Sequence, residues 1–144
     1  MSHFDWPVRV YYEDTDAGGV VYHSQYLNFF ERARTEWLRH LGFEHNYLRE
    51  EFKLVFVVHS LQIAFKKPAK LNDLLLITSE LVKIGRGSFE FFQKITVNQQ
   101  TLVEAHVKLA CVDTDTFRPV GIPEQVSLKM QLLLNVNTSK KEQA

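Results

Sequence analysis

Cysteine occurs once in the chain of 144 residues, as Cys111, so no internal disulfide is available to staple a fold. Cys111 stands in an apolar alternating run with no neighbour that would stabilise a thiolate, and it reads as a small core residue. Long hydrophobic runs are also missing. The stretch Leu74 to Ile77 is typical of the longest, far short of the roughly 20 residues a membrane-spanning helix needs. The opening Met1-Ser2-His3-Phe4-Asp5 lacks a charged region followed by an apolar one, so the expected location is the cytoplasm, with the inner-membrane surface as the peripheral variant. An excess of either charge is absent too: 17 basic side chains balance 17 acidic ones, which leaves no global field to gather nucleic acid. Any anionic partner must be held locally, and the basic cluster of note is Lys66-Lys67 with Lys70.

Several chemistries are missing as motifs. Histidines at 3, 23, 40, 45, 59 and 106 show no metal-ligand spacing, and Asp14-Thr15-Asp16-Ala17-Gly18-Gly19 opens like a calcium loop but puts Gly18 and Gln25 where ligands would be required. No metal and no cofactor is expected. There is no phosphate-binding loop before a helix and no Gly-x-Ser-x-Gly elbow. Gly85-Arg86-Gly87-Ser88 lies between two strand patterns and reads as a hairpin turn, or as a donor of N–H groups and a guanidinium to a phosphate.

What is present fits one domain with a core of its own, since 45% of residues are hydrophobic and 24% charged. Residues Pro7 to Tyr12 suggest a first strand with Val8, Val10 and Tyr12 on one face. From Ser24 to Leu41 the period changes to a helical one: Tyr26, Phe30, Ala33, Trp37 and Leu41 form a stripe, widened by Leu27, Phe29 and Leu38, and Gly42 follows as a C-terminal stop. That helix should be buried nearly all round. A short helical connection is expected over Phe43 to Phe52, then strands over Leu54 to Phe65, Leu74 to Ile84, Phe89 to Val97 and Val103 to Cys111. The last three form an antiparallel meander, and His59 reads as a hydrogen-bonded structural residue within its strand. Pro123 starts a C-terminal helix with Val126, Met130 and Leu133 on one face, ahead of a polar tail over 136–144. The class is α+β: a long central helix wrapped by a curved antiparallel sheet, whose open edge invites self-association.

The acidic loop before the helix is the candidate site. Its two glycines permit a tight turn that carries Glu13, Asp14 and Asp16 towards the helix N-terminus, where free N–H groups suit a polarised carbonyl oxygen. On residue types alone, Asp14 and Asp16 serve equally well as turn and cap formers.

The run Val8-Arg9-Val10-Tyr11-Tyr12-Glu13-Asp14-Thr15-Asp16-Ala17-Gly18-Gly19-Val20-Val21-Tyr22-His23, followed by Tyr26 and Phe30-Glu31-Arg32-Ala33-Arg34-Thr35-Glu36, resembles hot-dog-fold acyl-CoA thioesterases of the 4-hydroxybenzoyl-CoA thioesterase family. Within that family it is most similar to the branch encoded beside the bacterial Tol-Pal cell-envelope genes. The likeness extends through Phe56-Val57-Val58, Pro68-Ala69-Lys70-Leu71-Asn72-Asp73 and Ala110-Cys111-Val112-Asp113. It implies hydrolysis of an acyl-CoA, or of acyl carried on acyl carrier protein, with Asp16 as nucleophile or general base and the N–H of His23 at the thioester oxygen. Distant members carry other residues in place of His23, so its main-chain role is the firmer one. The resemblance also implies a homodimer or homotetramer with active sites between subunits. Tyr22, Lys66, Arg86, Gly87 and Ser88 are the expected substrate contacts. The alternatives are an acyl-binding module without turnover and a dehydratase; the second would need a histidine where Asp16 stands.

Overall fold

The computed structural model describes residues 3–143, with side chains as far as Leu134, so the polar tail expected over 136–144 lies outside the described side chains. Strand β1 (Phe4–Arg9) is followed by the acidic loop and helix α1 (Gln25–His40), then by α2 (His45–Tyr47) and a continuing helical turn over Leu48–Phe52. Four long strands come next, β2 (Leu54–Phe65), β3 (Leu74–Ile84), β4 (Ser88–Val97) and β5 (Gln100–Asp113), and α3 (Glu124–Gln143) closes the order. The sheet is antiparallel throughout with strand order β1-β3-β4-β5-β2, so the meander sits at its centre and β2 at one edge.

Alternation along the central strands decides which residues meet the helix. Leu75, Ile77 and Leu81 on β3, Phe89, Phe91 and Ile95 on β4, and Val103, Ala105, Val107 and Leu109 on β5 are buried on the concave face. Against them α1 lays Tyr26, Phe29, Phe30, Ala33, Trp37 and Leu38, the stripe expected from its helical period. The helix ends as Gly42 predicts, with Gly42 N–H donating to Arg39 and Phe43 N–H to Leu38, the paired bonds of a Schellman motif. Cys111 is fully buried, and Val126 and Met130 seat α3 on the same core.

Three expectations need correction. The first strand begins at Phe4 and stops at Arg9, and Tyr12 is 83% exposed in a helical turn over Tyr12–Asp14. The strand is bounded by its pairing with Leu74–Ser79, which outweighs the β-propensity of Tyr11 and Tyr12. Second, α1 is not enclosed all round within one chain, since Leu27 remains 39% exposed. Third, His59 is exposed beside the irregularity between Val58 and Ser60, where β2 shifts register on β5, and its side chain has no hydrogen-bond partner among the described residues.

Candidate active site

The acidic loop folds back on itself before α1 begins. Asp16 N–H donates to Val20, Gly19 N–H to Asp16 and Tyr22 N–H to Asp14, while Thr15 pairs with Val21 as an isolated bridge. Gly19 takes φ +82°, a left-handed conformation that a side chain would resist. Gly18 serves differently: a Cβ there would stand 3.2 Å from Asp16 Oδ1, so its bare backbone keeps the carboxylate uncrowded.

The two aspartates divide the work. Asp14 is buried, accepting from Tyr11 N–H at 2.8 Å through Oδ2 and from the Gln25 amide at 2.9 Å through Oδ1, which ties the loop to the first residue of α1. Asp16 is exposed, and among the described residues its carboxylate accepts only from Gly18 N–H, at 2.8 Å. Its second oxygen is left for solvent or a ligand. At the helix start, Gln25 N–H donates to Tyr22, whereas the N–H groups of His23 and Ser24 meet no protein acceptor among the described residues. They are the unpaired donors a helix N-terminus provides.

A second loop holds this start in place. Val21 N–H donates to Ala69, Ala69 N–H donates to the Tyr26 hydroxyl at 2.9 Å, and Val20 bridges Lys70. Burial is the main cause that raises the Tyr26 pKa, so the phenol stays protonated and available as an acceptor. A cleft of about 260 Å³ lies between the two loops, lined by Val21, His23, Tyr26, Phe65, Lys66, Lys67 and Pro68. Tyr22 lies against His23 at 4.5 Å between ring centroids with the rings tilted by 42°, and His23 meets the edge of Phe65 at 6.5 Å.

Thus Asp16, Tyr22 and His23 share one loop, and Lys66 lines the cleft beside His23, although its ammonium is paired with Glu104 at 3.1 Å. Arg86, Gly87 and Ser88 are elsewhere in the protomer. Phe65 pairs with Val103 and Ser88 with Ala110, so seven residues of β5, about 23 Å at strand spacing, separate the two ends. The 85–88 turn instead packs on the segment before α3: Cys111 N–H donates to Gly87, Ile122 N–H donates to Arg86, and a Cβ on Gly87 would stand 2.8 Å from the Val120 carbonyl oxygen.

At that far end an apolar cavity of about 290 Å³ opens beneath the C-terminal half of α1, against Phe56, Val57 and Val58 of β2 and the inner faces of β4 and β5. Among the described residues no three His, Cys, Asp or Glu side chains could hold a metal ion. No helix there is long and apolar enough to cross a membrane.

Sequence reasoning missed Phe65 and Ala69 as site-forming residues. Phe65 alternates as a core residue would, and only its 50% exposure beside His23 reveals it. It also missed Gln93, an apparently polar position that is fully buried; its place in the inward set Phe89, Phe91, Ile95 was the available signal.

Residues 10–130 match the model of the thioesterase-like superfamily. The chain belongs to that superfamily. It is 51% identical over 123 residues to the acyl-CoA thioesterase YbgC of Haemophilus influenzae, covering 85% of this chain and 90% of that one. It is 46% identical over 124 residues to the acyl-CoA thioester hydrolase YbgC of Escherichia coli O6:H1, covering 85% and 92%. Among solved structures, a probable thioesterase from Bartonella henselae superposes with a TM-score of 0.81 at 38% identity, over 84% of this chain and 99% of that one. The fold of this superfamily member is the hot-dog fold, the α1 helix held in the curved sheet.

Proposed function

We propose that this superfamily member is an acyl-CoA thioesterase that hydrolyses its substrate to a free acid and coenzyme A. The observation that carries the reading is one loop presenting an exposed carboxylate, Asp16, together with the unpaired N–H of His23. The thioester oxygen accepts from His23 N–H at the positive end of α1, and a well-placed donor of this kind lowers the barrier by roughly 3 kcal/mol. Asp16 attacks the carbonyl carbon, giving an acyl-aspartyl anhydride that water then hydrolyses to the free acid, or it takes the proton of a water that attacks directly; in both routes the electron pair of the C–S bond leaves with the CoA sulfur. A thiolate is a good leaving group, so a second strong acid is not required. Kinship with the YbgC proteins supports the same substrate class, and acyl carried on acyl carrier protein is the second donor to test.

The working unit is a dimer built on β2. This strand lies at the sheet edge, yet its inner-face residues Val58 and Phe65 are 52% and 50% exposed, and Leu61 is exposed beside them. Two β2 strands related by a twofold axis pair antiparallel, which sets the Phe65 end of one protomer beside the Leu54 to Val58 end of the other. Asp16 and His23 of one subunit then approach the apolar cavity and the 85–88 turn of its partner. Arg86, Ser88, Lys66 and Tyr22 become candidate contacts to coenzyme A, with the Arg86 guanidinium suited to a phosphate. Such an enzyme works in the cytoplasm, where acyl-CoA is made and used.

A panel of acyl-CoAs and acyl carrier protein thioesters, followed by thiol release and product analysis, tests the reading. Stoichiometric CoA and free acid support it. Binding without release points to a binding module, and an enoyl product to a dehydratase. Single turnover in ¹⁸O-water tests attack by the carboxylate, because label enters Asp16 only when water opens an acyl-aspartyl anhydride at the aspartyl carbon.

A further inference from the structure

The apolar cavity beneath α1 is lined by a cation, Arg34, that forms no ion pair among the described residues. Its walls include Trp37, Phe56, Val58, Phe89, Phe91 and Leu109, and Arg34 lines it from the helix. Arg34 is half-buried and makes one hydrogen bond among the described residues, from Nη1 to Gln93 Oε1 at 3.0 Å. Gln93 is itself fully buried and held on its other side, its amide nitrogen donating to the Phe30 carbonyl at 3.1 Å and to Ser79 Oγ at 2.9 Å. This network runs from β3 through β4 to α1, so Gln93 is a positioning residue for the guanidinium. Four of the five guanidinium N–H groups find no protein acceptor among the described residues.

Two other titratable groups line the cavity, Glu31 and His45. Glu31 also lines it but is exposed, and it forms no ion pair with Arg34 among the described residues. Burial pushes the pKa of His45 down, so the imidazole is neutral at pH 7. Burial lowers Arg34 to about 10, with Glu31 acting in the opposite sense, and Arg34 remains charged at neutral pH. A purely apolar ligand end would cover those N–H groups without satisfying them, whereas a carboxylate accepts two of them side by side.

We infer that Arg34 reads the distal end of the acyl group, and that the cavity takes a short acyl chain ending in a carboxylate, the half-thioester of a dicarboxylic acid. This deepens the thioesterase reading and rests on it, since the dimer is what brings the partner's reactive loop to this cavity. A volume of about 290 Å³ suits an acyl group rather than the whole of coenzyme A.

The test is binding of hydrolysis-resistant CoA analogues in which methylene replaces the thioester sulfur, in shape-matched pairs of equal heavy-atom count that differ by the terminal charge: succinyl with 4-methylpentanoyl, glutaryl with 5-methylhexanoyl, and adipyl with 6-methylheptanoyl. The wild-type protein should bind the carboxylate member at least about 10-fold more tightly at one length or more. Arg34→Met should abolish or invert that preference, and Arg34→Lys, which keeps the charge without the fork, should retain part of it. Equal or tighter binding of the apolar member at all three lengths overturns the inference, as does a preference that survives Arg34→Met. Should Arg34→Met not fold, the wild-type ratios and Arg34→Lys decide it. Thiol release from the matching true thioesters is followed in parallel: a carboxylate preference without release sinks the thioesterase reading and leaves the inference standing. Release without preference does the reverse, and failure of every analogue to bind contradicts both.

Discussion

Asp14 and Asp16 are two positions apart and have opposite surroundings, and their substitution should separate stability from chemistry. Asp14 is buried and holds Tyr11 N–H and the Gln25 amide, so Asp14→Ala removes hydrogen bonds to a charged acceptor and should cost about 2–3 kcal/mol in urea unfolding. Asp16→Ala, at an exposed carboxylate holding Gly18 N–H alone, should cost about 1 kcal/mol or less. Residue types could not make that distinction, because both are aspartates in a glycine loop; only kinship with thioesterases singled out Asp16. Burial was more legible for Cys111, whose apolar alternation placed it in the core. Its thiol is pushed up to about 11 by burial. Native protein at pH 8 should therefore react with a disulfide reagent at least about 100-fold more slowly than the guanidine-unfolded chain. Fast native reaction would show the site to be open. Because the fold keeps this thiol protonated while the unfolded chain ionises near 9, it also binds more protons there, and stability should fall as pH rises from 9 to about 11.

The elements were readable wherever one face is buried by the chain itself. The stripe on α1, the meander of β3 to β5 and the seat of α3 at Val126 and Met130 all follow from periodicity, since each apolar face has its cover within the protomer. The ends of β1 were not readable, because they are determined by a partner strand about seventy residues away. The 85–88 turn was read correctly as a turn, but the close approach of Val120 to Gly87 comes from a distant segment. Gly87→Ala would force its Cβ against that carbonyl oxygen and should destabilise the protein by about 1–3 kcal/mol. An unchanged urea midpoint would mean that the segment before α3 is not held there.

At the scale of the whole molecule, β2 carries the least satisfied surface. Leu61, Ile63 and Phe65 alternate as a half-buried strand should, yet among the described residues Leu61 and Phe65 stay 37% and 50% exposed. The alternation marks a face that the proposed second copy of the chain would cover, and the described residues of one protomer leave it half open. If β2 is the interface of the proposed dimer, Val57→Lys with Leu61→Lys should lower the mass measured by light scattering from twice the chain to that of the chain. CoA release should fall by at least about 100-fold, because a 1 Å misplacement of reacting groups already has effects of that order. A dimeric, active double variant would remove β2 as the interface. The central claim, that Asp16 carries the chemistry, is tested most directly by kcat/KM for acyl-CoA hydrolysis by Asp16→Asn beside the wild type. The account predicts a loss of about 10²- to 10⁴-fold or more with fold and assembly unchanged, and turnover near the wild-type rate would contradict it.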